Sequence, residues 1–208
     1  MAEIIRDNYE QLRFWLLEQK PSWKPYEIYH LMWLCRRKDG MSDKDSSVSK
    51  HWYIHSVDEL DKLKPSLLEY AAKGGRITLG INRKDLRRVN AELNLELAYR
   101  ALDDNYPLAP SIFPSIVDKS RPCGRGSHFI DVDRLPGETD DAIRDRMELY
   151  TNCLYCDCFP KNESKRHWII PSKTGYHILF DRCNYQPLLQ KYTVDVKKDE
   201  PTNLFIAV

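Results

Sequence analysis

The sequence predicts an α+β protein in which a helical and α/β amino-terminal part precedes a four-stranded βαββαβ sheet. Apolar residues make up 42% and charged residues 30% of the 208 residues, which is typical of a globular protein with a packed core. Segments with apolar residues at helical spacing alternate with short segments of alternating polarity. We therefore expect a helical region at 1–50, an α/β module with its connector at 51–127, and a catalytic sheet subdomain at 128–208.

The charge and apolar patterns narrow the classes of function. The formal net charge is +1, so any binding of nucleic acid must use a local basic patch rather than the whole surface. No stretch approaches the roughly 18 consecutive apolar residues of a membrane span, and the amino terminus lacks a basic region followed by an apolar signal core. We expect a cytoplasmic protein with no membrane partner, in which the six cysteines are reduced.

Two helices are expected in the first region. Ile4, Leu12 and Leu16 lie on one helical stripe, and a second helix is predicted to begin at Pro25 and to carry apolar residues at helical spacing. Residues 39–50 are mostly Asp, Ser, Lys and Gly, which predicts a solvated loop.

The second region is predicted to form strand, helix, strand and helix. Residues 51–55 form a short strand, and Ser56 followed three residues later by Glu acts as a capping box that begins a helix. Residues 76–82 form the next strand, and residues 86–102 form a helix with one apolar face. Residues 103–127 contain four prolines and little periodicity, which predicts a connector and a module boundary.

The third region has a legible order of elements. Strands are expected at 128–133, 166–171, 175–181 and 193–197, helices at 138–152 and 185–191, and a further strand at 203–208. This is the split βαβ order of ferredoxin-like and RNA-recognition-motif-like folds. In such folds the first and third strands are central, the fourth lies beside the first, and both helices cover one face.

Strand alternation predicts a polar cluster on the face opposite the helices. On the first strand two apolar residues alternate with Asp131 and Asp133, so both carboxylates face the open side if the apolar pair packs under the helices. By the same parity His177 of the third strand and Asp195 of the fourth face that side, with Lys197 at the rim. Three strands thus deliver carboxylates and an imidazole to one surface.

Such carboxylates form a hard oxygen site suited to Mg²⁺ or Mn²⁺, which keep open positions for phosphate oxygens. Two such ions can activate an attacking hydroxyl and stabilise a leaving pyrophosphate, which is the chemistry of nucleotidyl transfer. Ser172 to Gly175 is a turn between two strands. Its amides and Lys173 are candidates to bind a triphosphate, although a polar hairpin in which Gly175 supplies a positive φ explains the same residues.

Three ordered segments carry a family resemblance. The runs Phe129-Ile-Asp-Val-Asp133 and Ser172-Lys-Thr-Gly-Tyr-His177, followed by Val194-Asp195, resemble the motifs of the archaeo-eukaryotic primase superfamily, which includes small primase subunits and primase-polymerases. The resemblance spans roughly residues 51–208. It implies an RNA-recognition-motif-like catalytic subdomain preceded by an α/β module, as in a minimal phage or mobile-element member.

The resemblance also implies residue roles. Asp131, Asp133 and Asp195 would bind the catalytic metals, and Ser172 and His177 would contact the phosphates of the incoming nucleotide. The interval between His177 and Asp195 is shorter than is usual in the superfamily, which leaves two substitutes for the third carboxylate. These substitutes are Asp199 and Asp181.

Several relatives insert a zinc knuckle between the first two motifs, and three cysteines of this chain fall in that interval. Cys153, Cys156 and Cys158 offer three thiolates, whereas zinc takes four ligands. His167, Cys123 or Cys183 would complete the site. Reduced cysteines at a helix end are the alternative.

Two basic segments are candidates for nucleic-acid contact. Positive charges at the start of a helix oppose its macrodipole, which favours a role in phosphate contact, although a solvated face is the alternative. A Gly-Arg-Gly turn before the first strand of the third region is the second candidate. The basic residues concerned are Arg83, Lys84, Arg87, Arg88 and Arg125. The remaining histidines, His30, His51, His55 and His128, are expected to be structural.

The sequence therefore predicts a primase-like nucleotidyltransferase that uses Mg²⁺ or Mn²⁺ to join nucleoside triphosphates on a single-stranded DNA or RNA template. A helicase or a primase accessory subunit is a candidate partner. Two rivals remain: a metal-dependent nuclease or phosphodiesterase, in which the same carboxylates activate water, and a non-catalytic nucleotide- or nucleic-acid-binding relative.

Overall fold

The structure is a computed structural model that describes residues 2–18, 23–35, 49–123, 126–160 and 166–207. It confirms the α+β class, with two antiparallel sheets and helices packed against them. Within these ranges, none of the helices combines the length and apolar character needed to cross a membrane.

The elements follow the chain in alternation. In chain order they are β1 (Ile4–Asp7), α1 (Tyr9–Glu18), β2 (Glu27–Leu34), β3 (Ser49–Ile54), α2 (Val57–Ala71), β4 (Gly75–Gly80), β5 (Lys84–Asp85), α3 (Leu86–Leu102), α4 (Ala109–Lys119), β6 (Ser127–Asp133), α5 (Asp140–Cys153), a π-helical turn (Leu154–Cys158), β7 (His167–Pro171), β8 (Gly175–Asp181), α6 (Gln186–Lys191), β9 (Asp195–Lys197) and β10 (Pro201–Ala207).

The first sheet has the order β1-β10-β4-β2-β3, with β5 paired to β2. Helices α1 and α2 cover one of its faces, where Trp15, Leu31 and Leu79 are fully buried. Ser56 caps α2 as expected, because its hydroxyl accepts a hydrogen bond from the amide of Glu59 at 3.2 Å.

The second sheet has the order β7-β8-β6-β9. The first and third strands of the third region are therefore central, and the fourth lies beside the first, as the order of elements predicts. Ile130, Val132 and Ile178 are fully buried against Ile143 of α5, so the apolar residues that alternate with the acids face the helices.

The second helix expected in the first region is wrong. Its apolar residues at helical spacing belong instead to strand β2, which lies between β4 and β3. Most of β2 is buried, since α1 and α2 cover one face, whereas Ile28 packs with Val89 and Val117 of α3 and α4 on the other. A strand buried on both faces is apolar nearly throughout, and such a run satisfies helical spacing by coincidence.

The proline-rich segment is also more ordered than expected. Residues 109–119 form α4, with a proline in its first turn, where the missing amide hydrogen costs little. Val117 of α4 is fully buried against Val89 of α3. This part of the predicted connector therefore packs into the first module. The solvated loop predicted at 39–50 falls largely outside the described residues.

The carboxyl-terminal strand joins the two sheets. β10 leaves the second sheet after β9 and inserts between β1 and β4 of the first sheet. Its Leu204 and Phe205 are fully buried in the first core. Residues 201–207, which the sequence places in the sheet subdomain, thus complete the other sheet.

Side-chain amides also connect the two sheets. Asn82, which follows β4, donates from Nδ2 to the Ser127 carbonyl oxygen at 3.1 Å and to the Lys198 carbonyl oxygen at 3.0 Å. Asn8 donates from Nδ2 to the carbonyl oxygens of Pro171 and Asn203 at 2.8 and 2.9 Å. These bonds satisfy buried carbonyl groups where the two modules meet.

Candidate functional site

The central feature of the site is one row of residues across three strands. Asp131 of β6 lies directly opposite His177 of β8 on one side and Asp195 of β9 on the other. Directly opposed residues in antiparallel strands have Cβ atoms about 5 Å apart on the same face. Asp133 follows two residues along β6, so it lies on that face as well.

The face that carries this row is not uncovered, which corrects the expectation of an open sheet. Phe129, Ile170 and Leu179 share the parity of the row, but they are buried in the core of the first sheet. The first module packs there because α1 and β10 contact β7. Asp131, Asp133 and His177 therefore lie in a cleft between the modules, whereas Asp195 lies outside its lining.

This cleft has a volume of about 400 Å³. The second sheet contributes Asp131, Asp133 and His177, together with the turn after β7. The first sheet contributes Arg76 and Thr78 of β4, and the segment entering β10 contributes Glu200, Pro201 and Asn203. We call this space the acid cleft.

His177 is held rigidly inside the acid cleft. Its Nδ1 shares a 2.8 Å hydrogen bond with Thr202 Oγ1, and its ring stacks on Phe129 with centroids 4.4 Å apart. Its Nε2 lies 3.6 Å from Asp131 Oδ1. A carboxylate favours a proton on the nearer nitrogen, so the Thr202 hydroxyl donates to Nδ1 and Nε2–H faces the acids.

Burial lowers the pKa of His177 to about 4, with nearby Arg76 acting in the same direction and Asp133 against it. The imidazole is therefore neutral at physiological pH. It can donate a hydrogen bond to an anionic group without carrying a charge of its own.

The carboxylates of the row repel one another. Burial raises the pKa of Asp131, and the negative charges of Asp133, Asp195 and Glu200 raise it further. Lys197 offsets part of this effect, because its Nζ lies 2.8 Å from Asp195 Oδ2 and 3.4 Å from Glu200 Oε1. Asp131 therefore lies in a negative potential that a cation would relieve.

The carboxylates do not converge on one point. Asp133 Oδ1 accepts a hydrogen bond from Thr174 Oγ1 at 3.0 Å, and the Asp195 side chain is 61% exposed beside Lys197. Across the described ranges, no three His, Cys, Asp or Glu side chains form a group that could hold a metal ion. The two substitutes for the third carboxylate lie elsewhere: Asp199 binds Lys84, and Asp181 binds Arg166.

The turn after β7 forms one wall of the acid cleft. The Ser172 amide donates to the Gly175 carbonyl at 2.8 Å, and the Gly175 amide donates to Ser172 Oγ at 3.0 Å, which closes a tight loop around Lys173 and Thr174. Arg6 Nε of β1 donates to the Ser172 carbonyl at 3.2 Å. Ser172, Lys173 and Thr174 all line the cleft.

Gly175 is needed for a reason other than the expected positive φ, because it is not among the residues with positive φ. A Cβ at this position would lie 2.0 Å from the Val132 carbonyl oxygen and 3.1 Å from the Asp133 Cα. Only glycine lets β8 approach β6 this closely next to the acids.

The basic segment near residue 85 serves the fold more than a ligand. Arg83 is buried and its Nη1 lies 2.7 Å from Glu27 Oε2, and Lys84 Nζ donates to the Ser120 carbonyl at 2.6 Å and to Asp199. Both residues precede α3 and are held in ion pairs within the fold. Their contact with a template stays a prediction.

Two other basic residues of that segment are exposed on α3. Arg87 pairs with Asp85 at 2.7 Å and lies over the ring of Tyr26. Arg88 is exposed as well. Arg125 lies outside the described residues.

Among the cysteines expected to bind zinc, Cys153 and Cys158 interact with each other, and the candidate ligand Cys183 lies near Cys158. Cys153 and Cys158 are buried under the second sheet, whereas Cys156 is exposed on the π-helical turn. Burial raises the pKa of Cys153 to about 11 and that of Cys183 to about 12, so both thiols are protonated at neutral pH. Of the other candidate ligands, His167 Nδ1 shares a hydrogen bond with Tyr155 at 2.8 Å. This arrangement fits reduced core cysteines.

Two of the histidines expected to be structural, His30 and His51, are in a polar network. His30 Nδ1 lies 2.8 Å from Asp118 Oδ1, and His30 Nε2 lies 2.9 Å from His51 Nδ1. Sequence reasoning also missed Arg76, Thr78 and Thr202, which line or support the acid cleft. Strand parity within the second sheet could not identify them, because they belong to the first.

Comparisons of this chain with protein-family models, with curated proteins and with solved structures found no match.

Proposed function

We propose that this protein is a primase-like nucleotidyltransferase that joins nucleoside triphosphates on a single-stranded nucleic-acid template with the help of Mg²⁺ or Mn²⁺. The observation that carries the proposal is the register of the second sheet. It aligns Asp131 with His177 and Asp195, and Asp131, Asp133 and His177 line a cleft large enough for part of a nucleotide.

The donor chemistry supports a hard divalent cation. Mg²⁺ in phosphate-binding sites is commonly held by one or two carboxylates together with substrate phosphate oxygens, so a preformed cage of three side chains is not required. Asp131 and Asp133 would hold the ion, with Asp195 within reach from the next strand. Such an ion, when bound, lowers the pKa of an attacking hydroxyl and neutralises a triphosphate. The raised pKa of Asp131 supports the need for a positive charge there.

The chain itself supplies groups that bind and orient phosphates. Lys173 and the Thr174 hydroxyl lie on the turn at the cleft wall, and Arg76 lies across from them on β4. The neutral His177 donates from Nε2, with its ring fixed by Thr202 and by stacking on Phe129. A fixed ring orientation favours transfer because the donor does not reorganise during the reaction.

The test is extension of a labelled primer on a single-stranded template with nucleoside triphosphates and Mn²⁺ or Mg²⁺. We expect the wild-type protein to lengthen the primer, and the double variant Asp131→Asn plus Asp133→Asn to lose activity by roughly a thousandfold, the order expected when charge stabilisation is removed from a transition state. The matched control is Asp141→Asn, whose side chain is 90% exposed on α5 and which should retain wild-type activity.

The same assay distinguishes the transferase from the two rival functions. Metal-dependent shortening of the primer that the double variant abolishes would identify a nuclease. The exposed Asp195 paired with Lys197 favours the other rival, a nucleotide-binding protein without turnover. In that case Mn²⁺ and nucleotide bind to the wild type and not to the double variant, while no product forms. Either result would contradict the transferase.

A further inference from the structure

A second cavity lies at the other end of strand β6. It has a volume of about 520 Å³ and is lined by residues from the chain entering β6, from the ends of β8 and β9, and from the start of α6. Its wall carries the cations Arg121, Arg182 and Lys198 together with His128. We call this cavity the basic pocket.

The cations of the basic pocket are not used by the fold. Arg121, Arg182 and Lys198 are exposed, and within the described ranges none of them forms an ion pair with a carboxylate. Lys198 lies 5.9 Å from the centre of the Tyr185 ring. Asp199 also lines the pocket, but its carboxylate is engaged by Lys84 and by Asn82 Nδ2. The net potential in the pocket is therefore positive.

His128 adds a polar atom that has no hydrogen-bond partner among the described residues. It is 8% exposed, and its Nδ1 is buried without a hydrogen-bond partner. Its ring makes edge contacts with Phe180 and Tyr185, which fix its position. Buried polar atoms are nearly always paired, so a ligand or a water that enters this pocket would complete the site.

A third cavity lies between the basic pocket and the acid cleft and shares lining residues with both. This intermediate cavity of about 240 Å³ shares Thr78, Glu200 and Pro201 with the acid cleft, and it shares Asn82 and Asp199 with the basic pocket. His128 precedes Asp131 by three residues on β6, so its ring faces the opposite side of the sheet, against Phe180 and Tyr185. The intermediate cavity, rather than the strand itself, therefore gives the route between the two sites.

We propose that the basic pocket binds backbone phosphate of a nucleic-acid strand that follows the seam between the two modules and reaches the acid cleft. The proposal rests on the proposed function only in the statement that the bound strand runs toward the acid cleft. Three cations and an imidazole would recognise the phosphate group of the ligand. Inorganic phosphate carries the same group, so the experiment must distinguish a nucleic-acid strand from free phosphate.

The experiment measures binding of a fluorescently labelled oligothymidylate by anisotropy over a range of salt concentrations, in the presence of chelator and without nucleoside triphosphate. The pocket variant is Arg121→Ala plus Arg182→Ala. The matched control is Lys62→Ala plus Arg144→Ala, which removes the same charge from exposed positions on α2 and α5.

We expect the pocket variant to bind about tenfold more weakly and to lose roughly 1.4 from the slope of log K against log salt, since each phosphate contact on a single strand contributes about 0.7. The control should bind within twofold of the wild type with the same slope. Equal weakening in both variants would show a general charge effect and overturn the proposal.

A calorimetric titration with inorganic phosphate separates the sources. Suppose that the wild type binds phosphate at sub-millimolar concentration and that the pocket variant loses this binding but still binds the oligonucleotide. The pocket would then be a site for free phosphate, and the proposal of a nucleic-acid strand would be overturned. Asp131→Asn plus Asp133→Asn should leave oligonucleotide binding intact. If the wild-type protein shows this binding pattern but extends no primer, the proposed function alone is refuted. If the wild type extends the primer but the pocket variant binds the oligonucleotide as well as the control does, this inference alone is refuted.

Discussion

At the scale of single residues, the charge of Asp131 lowers the stability of the fold. Its pKa is raised by burial and by the neighbouring carboxylates, so the folded protein holds the proton more tightly than the unfolded chain does. The unfolding free energy therefore falls as the pH rises through the folded pKa. A residue that costs stability is retained more readily where function requires it.

Asp131→Asn should raise the melting temperature at pH 7 by a few degrees, because it removes a charge that burial and the neighbouring carboxylates disfavour. A change of 1 kcal/mol corresponds to about 2–4 °C for a chain of this size. The difference should vanish below about pH 3.9, where the wild-type carboxyl is protonated in both states. Scanning calorimetry at both pH values measures it. Asp195→Asn is the control, since that side chain is 61% exposed and bound to Lys197. A lower melting temperature for Asp131→Asn at pH 7 would contradict the electrostatic explanation.

The polar residues that share one face of the second sheet were predictable at this scale, because side chains alternate strictly along a strand. The sequence identified Asp131, Asp133, His177 and Asp195 as residues of one face, and the register places them there. The roles of Arg83 and Lys84 were not predictable. Whether a basic residue lies in solvent or in a buried ion pair depends on where Glu27 and Asp199 are folded, which local pattern does not encode.

At the scale of elements, the hairpin of β7 and β8 is positioned by the absence of a side chain at Gly175. The carbonyl of Val132 occupies the space that a Cβ would need. The turn residues that line the acid cleft are thereby held against the acids of β6. The same close approach explains why the residue before Tyr176 and His177 is a glycine, although its φ is not positive.

Gly175→Ala should lower the unfolding free energy by roughly 2–4 kcal/mol, since the overlap with Val132 forces β8 away from β6. Urea unfolding followed by circular dichroism measures the change. The matched control is Gly137→Ala, where a Cβ meets nothing within 4 Å and the positive φ of 76° alone opposes the substitution. That variant should lose about 1 kcal/mol. Equal losses in the two variants would show that the contact with Val132 is unimportant.

Element types in the second half were predicted well because polar residues such as Asp131, Asp133 and His177 alternate with apolar ones along its central strands. β2 and α4 were not. Ile28, Leu31, Met32 and Cys35 match helical spacing, but a strand covered on both faces loses the alternation that distinguishes it. In α4, Pro110 and Pro114 are signals of loops in isolation, whereas tertiary packing of Ile116 and Val117 stabilises a helix around them.

At the scale of the whole molecule, the two modules are joined by interdigitated segments. β10 crosses from the second sheet into the first, and β1 and α1 of the first module contact the β7 hairpin of the second. His177 is buried at this seam, where it bonds to Thr202, and His128 is buried against Phe180 and Tyr185 within the second module. Protonation of either ring thus opposes the folded state.

Acid should destabilise the folded protein through these two histidines. Burial lowers the pKa of each to about 4, so between about pH 6.5 and 4 the unfolded chain binds protons that the folded protein does not. The unfolding free energy therefore falls on acidification, by up to about 1.4 kcal/mol per pH unit for each ring. His128→Phe keeps an aromatic ring against Phe180 and Tyr185, and it should reduce the slope near pH 5 by about one proton. Denaturant unfolding at several pH values measures the slope, and an unchanged slope would show that His128 does not titrate in this way.

The sequence by itself determined the α+β class, the elements of the second half and the parity of the acid row, because local periodicity and strand alternation depend on neighbours along the chain. Only the tertiary structure decided that β10 completes the first sheet, that Asp131, Asp133 and His177 share a cleft with Arg76 and Thr78, and that Lys84 is buried. Those features depend on contacts between residues distant in sequence. Such contacts are fixed by how the two sheets pack against each other, and no local pattern specifies that packing.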